Sequence, residues 1–299
     1  MTYSALAEII IADLSASFSL SQIFVWRYAS AMTSHRSILL KTIRFFRWHH
    51  GVNMTCHFVR WASTEALPDL QRLSDDLISS THSFSVKRRE RYLKGRALLA
   101  EMMFYFFGYP VLPPLMVSPN GRPCFVDPHL PDFSLGYAGN TIAILLSEEG
   151  KVGMDVEIIR VWSRETPTHL QTQTHAEKAW IDAQLDPLEA ATQLCTIRQS
   201  VLKIPGFHAG GPESLKLHPA SGRLRSRHIP EVEVVSDIDD YLAWACAHTP
   251  RLDRLVMWNY TSAYGMRKSG EIVHQQRQSR RYIKLSSHAT ENASAQYVM

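Results

Sequence analysis

The 299-residue chain is poor in cysteine, and its four cysteines, Cys56, Cys124, Cys195 and Cys246, are scattered without a CxxC pair. That excludes a disulfide scaffold, argues against a structural zinc site and fits a reducing compartment. Long apolar runs are missing too. The longest uncharged stretch near the start, 14–26, has 13 residues, four of them serine, whereas a helical span needs roughly 20 mostly apolar residues. A secretory leader is not expected, because Glu8 and Asp13 stand where a positive n-region belongs. There is no fixed-period repeat, no low-complexity tract, no GxSxG nucleophile elbow and no GxxxxGK[ST] phosphate loop. The 14 histidines show no metal-ligand spacing.

What is present is a globular composition, 45% apolar and 20% charged. The formal charge of +4 belongs to the ends. Residues 1–53 hold five basic and two acidic residues and 266–299 hold six and two, so 54–265 carries −3. A nucleic-acid-binding body thereby loses its main support. Residues 1–53 read as a segment appended outside the fold, with 38–50 as an amphipathic surface helix within it. Met54 opens the domain proper and is the expected natural start. The tail 266–299, rich in Gln, Ser and Arg, is expected to be without structure.

Within the body, Leu93, Ala97, Ala100, Phe104 and Phe107 recur at helical spacing and predict a helix over 85–107, stopped by Gly108 and Pro110. Strands are expected at 141–146 and 152–159 around a turn near Gly150. Helices are expected from Thr174 to before Pro187 and over 188–204, then strands at 231–235, 242–247 and 255–260. Helices and strands mix without regular βα alternation, which makes the fold class α+β.

Four groups of residues can carry chemistry. On a strand, Asp155 and Glu157 point to one side, and a cation between them relieves their repulsion; hard oxygens suit Mg²⁺. On a helix, Cys195, Gln199 and Lys203 form one stripe at four-residue steps. The basic start of the first helix sets Arg89 and Arg96 seven residues apart on one face, a density able to hold phosphates. Arg122, in the turn Asn120-Gly121-Arg122-Pro123, can meet an anion. Each has a plainer reading as solvated surface, and Glu177 has one as the partner of Thr174 in a capping box. The run 206–211 reads as a loop after a helix.

The order of these motifs is more telling than any one of them. Gly-Arg-Ala-Leu-Leu (95–99) is followed by Asn-Gly-Arg-Pro (120–123) and Phe-Ser-Leu-Gly-Tyr-Ala-Gly (133–139). Then come Val-Gly-Met-Asp-Val-Glu (152–157), Glu177 and Thr-Ile-Arg-Gln-Ser-Val-Leu-Lys (196–203). The series resembles the Sfp-type 4′-phosphopantetheinyl transferases and, among them, the divergent YieE-like branch. That resemblance implies a pseudo-twofold pair of α+β halves, here about 54–150 and 151–265, with coenzyme A in the cleft between them. It implies a cytoplasmic, monomeric, Mg²⁺-dependent enzyme that moves phosphopantetheine to a serine of an acyl or peptidyl carrier protein. In those terms Asp155, Glu157 and Gln199 hold Mg²⁺. Arg96 and Arg122 contact the coenzyme's phosphates, with Arg89 in the same basic cluster. Glu177 helps activate the serine, and Lys203 offsets charge at the leaving group. Tyr137 stands where the family has a phosphate-binding histidine, Gln199 where it has a third acidic ligand, and Cys195 where it has a tryptophan. Weaker metal binding is the expected consequence. The alternative is a relative that binds coenzyme A or carrier protein without transfer.

Overall fold

The computed structural model describes residues 55–62, 64, 70–119, 121–160, 173–206, 214–229, 231–273, 279 and 281–287. The segment 1–53, Asn120, residues 207–211 of the Gly-rich run and the end of the tail (288–299) lie outside the described residues.

Among the described residues, thirteen strands and four α-helices follow in order. β1 (Thr55–Ala62) leads to α1 (Asp75–Ser79) and α2 (Val86–Phe107), then to the hairpin β2 (Leu115–Val117) and β3 (Pro123–Phe125). β4 (Asp132–Ala138), β5 (Thr141–Ser147) and β6 (Lys151–Ile158) precede α3 (His175–Asp182) and α4 (Pro187–Leu202). β7 (Leu215–His218), β8 (Arg223–Ser226), β9 (Glu233–Asp239), β10 (Leu242–Thr249), β11 (Arg254–Thr261), β12 (Gly265–Val273) and β13 (Ile283–Ser286) complete the chain. The architecture is α+β, as expected. No helix among the described residues is long and apolar enough to cross a membrane.

The strands form two large sheets, ordered β12-β11-β1-β5-β4 and β6-β10-β9-β13-β8-β7. α2 covers the first sheet through Leu98, Leu99 and Met102, packed with Val59, Trp61, Ile142 and Ile144. α4 covers the second through Leu194, Ile197 and Val201, packed with Val234, Ala245 and Ala247. Between the sheets lie Phe58, Leu145, Met154, Val156, Trp244 and Cys246, with the Phe58 and Trp244 rings 5.2 Å apart. The layers therefore run α2, sheet, sheet, α4. Central strands are buried on both faces, which is why Thr141-Ile-Ala-Ile-Leu-Leu reads as a continuous apolar run and not as an alternating one.

The two strands expected around Gly150 are present, in different sheets: β5 pairs with β1 and β4, and β6 pairs with β10. Two expectations are corrected. The tail is ordered in part, because β12 seats Ile272 and β13 seats Leu285 in apolar clusters. β11, placed by sequence in the second half, runs parallel to β1 in the first sheet.

Two contacts join the layers. β4 and β6 meet edge to edge without a ladder of backbone bonds; Val152 N donates to Asp132 Oδ2 at 2.8 Å and Met154 N to Ser134 Oγ at 3.0 Å. Both strands advance in the same direction along this seam. On the other side of β6, a Cβ on Gly153 would stand 1.9 Å from the Ser200 carbonyl and 2.9 Å from Ile204 N. Only glycine lets the end of α4 come this close to a strand.

Gly153→Ala should therefore cost about 1–3 kcal/mol or more, the range of overpacking in a core that cannot give way, read as a lowered urea midpoint. A second expectation concerns His248, which is fully buried and whose Nε2 lies 3.1 Å from Ser147 Oγ and 2.7 Å from the Glu149 carbonyl. Burial holds its pKa below the ordinary imidazole value, so below about pH 6.5 the unfolded chain takes up the proton more readily. Stability should fall as pH drops from 7 through 6.5 toward the folded-state pKa. His248→Gln should flatten that part of the profile.

Candidate functional site

β6 builds the acidic half of the site. Met154 and Val156 face the inter-sheet core, so Asp155 and Glu157 project with Gly153 to the α4 side. α4 starts from Asp186, whose Oδ1 accepts from Leu188 N at 3.0 Å and Glu189 N at 2.9 Å. Two members of its stripe, Cys195 and Lys203, come near the acids, and Gln199 lies between them on the helix. Lys203 Nζ donates to Asp155 Oδ1 at 2.5 Å. Burial, with the charges of Asp155 and Glu157 adding to it, pushes the Cys195 thiol up to about 12. Cys195 is thus packed and un-ionised near the carboxylates.

The basic half rests on α2 and β4. Arg96 is 8% exposed. Its guanidinium lies 4.1 Å from the Tyr92 ring centre and 3.5 Å, Nη1 to oxygen, from the Tyr137 hydroxyl, and its buried Nε has no partner. Arg91 stacks 4.5 Å over the Tyr137 ring and donates to the Tyr137 carbonyl at 3.3 Å. Arg89 Nε donates to Thr81 Oγ1 at 3.1 Å. Tyr137 fits only because residue 95 is glycine: a Cβ there would lie 2.2 Å from the phenol oxygen. Burial raises the Tyr137 pKa despite the two arginines, so the phenol stays neutral. Aromatic rings hold these cations without cancelling their charge, and an anion would do so.

Tyr137 lies three residues beyond Ser134, and Glu157 three beyond Met154, its bonded neighbour across the seam. The strands that carry Tyr137 and Glu157 are therefore neighbours at this level.

Two residues expected at the site are committed elsewhere. Arg122 forms a two-pronged pair with Asp132 at 3.2 and 3.0 Å, donates to the Val152 carbonyl at 3.1 Å and also to that of Phe133. Its charge is neutralised and it braces the seam instead of facing a phosphate. Glu177 is fully buried. One carboxylate oxygen accepts from Thr174 N at 2.8 Å, and the other from Arg198 Nη2 at 2.6 Å and Leu217 N at 3.2 Å. The capping box is complete, and with both oxygens engaged the carboxylate is not presented to a serine. Asp132, Ser134 and Arg198 are the structural residues that motif reading passed over. Alternation along β4 was the available signal for the first two.

Among the described residues no group of three or more His, Cys, Asp or Glu side chains is arranged to hold a metal. The donor chemistry nonetheless suits Mg²⁺, which commonly takes one or two carboxylates and completes its shell with waters and substrate phosphates. Asp155 and Glu157 supply two hard anionic donors, and Gln199 a neutral one.

No family model matches the chain. It is 36% identical over 223 residues to the uncharacterized protein YieE of Escherichia coli K12, spanning 73% of this chain and 90% of that one. It is 45% identical over 74 residues to the 4′-phosphopantetheinyl transferase AcpT of the same organism, spanning 24% and 34% of the two chains. A Haemophilus influenzae protein named "Putative 4′-phosphopantetheinyl transferase" is 25% identical over 209 residues, 67% of this chain and 88% of its own. The chain belongs to the 4′-phosphopantetheinyl transferase superfamily, in its divergent YieE-like branch.

Removing one member of the Glu177–Arg198 pair strands the other charge in the core. Arg198→Met or Glu177→Gln should each cost about 3–5 kcal/mol. In chemical denaturation the double variant should be more stable than the sum of the two losses.

Proposed function

We propose that this protein transfers the 4′-phosphopantetheine group of coenzyme A to a serine hydroxyl of an acyl or peptidyl carrier protein. The observation that carries the proposal is a carboxylate pair on β6, one member bonded to Lys203 at the end of α4, together with a buried arginine on α2 that among the described residues is held by neutral groups, one of them Tyr137 on β4, the strand beside β6. Attack on a pyrophosphate asks little covalent chemistry of a protein; it asks for in-line positioning and for charge placed along the phosphates. Arg96, helped by Arg89 and Arg91, would bind phosphate, and the neutral Tyr137 would add one hydrogen bond. Asp155, Glu157 and Gln199 would hold Mg²⁺, which when bound offsets pyrophosphate charge. Lys203 would carry positive charge to the leaving group. The basic first turns of α2 would attract an acidic carrier protein.

The order β1-β5-β4 in one sheet and β6-β10-β9 in the other, each with its own helix, supports two halves related by a pseudo-twofold axis. Such a molecule would complete its site within one chain and work as a monomer in the cytoplasm, where its two substrates are. Residues 1–53 would remain outside this unit.

Gln199 favours one second reading, a relative that binds coenzyme A or carrier protein without transfer. Mass spectrometry of apo carrier proteins incubated with coenzyme A and Mg²⁺ separates the two. Transfer adds one phosphopantetheine to the serine, and Asp155→Asn should abolish the addition. Gln199→Glu should tighten Mg²⁺ binding and raise the rate, because ligand charge count governs hard-cation sites. Coenzyme A binding with no mass increase across several carriers would establish the second reading.

A further inference from the structure

The bond between Lys203 Nζ and Asp155 Oδ1 has a consequence for how a metal reaches this site. Asp155 is 16% exposed and Lys203 35%, so the ammonium caps the carboxylate at the mouth of the site. The backbone beneath both groups is fixed. Asp155 belongs to β6, paired residue for residue with β10, where Ala245 is its partner. Lys203 terminates α4, its N–H donating to the Gln199 carbonyl at 3.1 Å, and the turn on which it sits is pressed against Gly153. The four-carbon stem of the lysine is the longest movable part of the pair. A compact, strongly hydrated ammonium on such a stem is a mobile point charge.

We infer that Lys203 is an internal stand-in for the metal, holding Asp155 until a polyphosphate anion draws the ammonium away, so that metal entry is coupled to coenzyme entry. This rests on the reading of Asp155 and Glu157 as metal ligands. An ammonium on Asp155 Oδ1 and a divalent ion on the same oxygen repel each other at short range. A metal on that oxygen would therefore have to displace the lysine, whose ammonium would then need another place. A pyrophosphate supplies that place and, at the same time, oxygens for the metal. Gln199 tilts the balance toward the lysine. With a carboxylate at 199 the local charge would be one unit more negative and would favour a doubly charged ion; an amide adds no charge and leaves the singly charged ammonium the better match for Asp155. The lysine side chain is the element with two positions, and metal and anion both bias it. Coupling of this kind is reciprocal: the metal must raise affinity for the anion as much as the anion raises affinity for the metal.

The test is a Mn²⁺ titration of the full chain followed by the electron paramagnetic resonance of the free ion, with Mg²⁺ competition, first with metal alone. Wild type should bind weakly. Lys203→Met should bind Mn²⁺ alone about 10-fold more tightly or better, within the range of ordinary coupling between sites. Lys203→Arg, which keeps the charge and guards against an effect of packing, should stay as weak as wild type. Coenzyme A, corrected for its own metal binding in protein-free blanks, should then raise metal affinity in wild type by a larger factor than in Lys203→Met. Asp155→Asn should remove binding in every background. If Lys203→Met binds metal alone no more tightly while Asp155→Asn still abolishes binding, the stand-in role is overturned and the metal-site reading survives. If Asp155→Asn changes nothing, the metal-site reading falls and the inference with it.

Discussion

The contact of α4 with β6 at Gly153 is the constraint on which the site depends. A strand and a helix backbone ordinarily keep a side chain's distance from each other. Here the Ser200 carbonyl and Ile204 N lie where a Cβ would be, which brings the last turn of the helix down onto the strand. Two residues along β6, Asp155 is then within reach of Lys203, and Cys195, two turns back, is close enough to feel both carboxylates. The Gly-x-Asp-x-Glu pattern is thus a packing instruction followed by a chemical one. The glycine sets the helix height, and the strand's alternation aims the acids at the helix it has admitted.

Four of the arginines divide by partner. Arg122 and Arg198 are buried against carboxylates, Asp132 and Glu177, and each ties three stretches of chain together. Breaking such a pair leaves an uncompensated charge in the core, so these residues read as structure. Arg91 and Arg96 lie instead on aromatic rings. A quadrupole orients a cation and keeps water from one face but leaves its net charge intact.

Much of this was legible in the residues. The periodicity of 93–107 marks α2, the capping box marks the start of α3, and Pro187 with Asp186 before it marks α4. The i, i+2 acids and the i, i+4 stripe each name one side of the site. What periodicity cannot report is which sheet a strand enters. β5 is apolar on two faces and β6 on one, and neither pattern tells that the short turn between them crosses from one sheet to the other. β12 and β13 hide within polar composition because each contributes a single deeply seated residue, Ile272 and Leu285. Arg122 and Glu177 are the opposite case. Their identity suggested chemistry, and only three-dimensional partners, distant in sequence, show that their charges are already answered.

The parallel pairing of β1 with β11 sets a timetable. Thr55 lies opposite Arg254 and Arg60 opposite Asn259, so the first strand of the body waits for one made nearly two hundred residues later. Ribosomal synthesis runs at about 5–20 residues per second. For something like ten seconds or longer, then, one edge of β1 stands open on a growing chain whose Phe58 and Trp61 already need cover. Contacts of such sequence separation are slow to close even in a finished polypeptide. The first sheet is therefore completed only after most of the second has been synthesised, and until then an open strand edge is exposed to pairing with other chains.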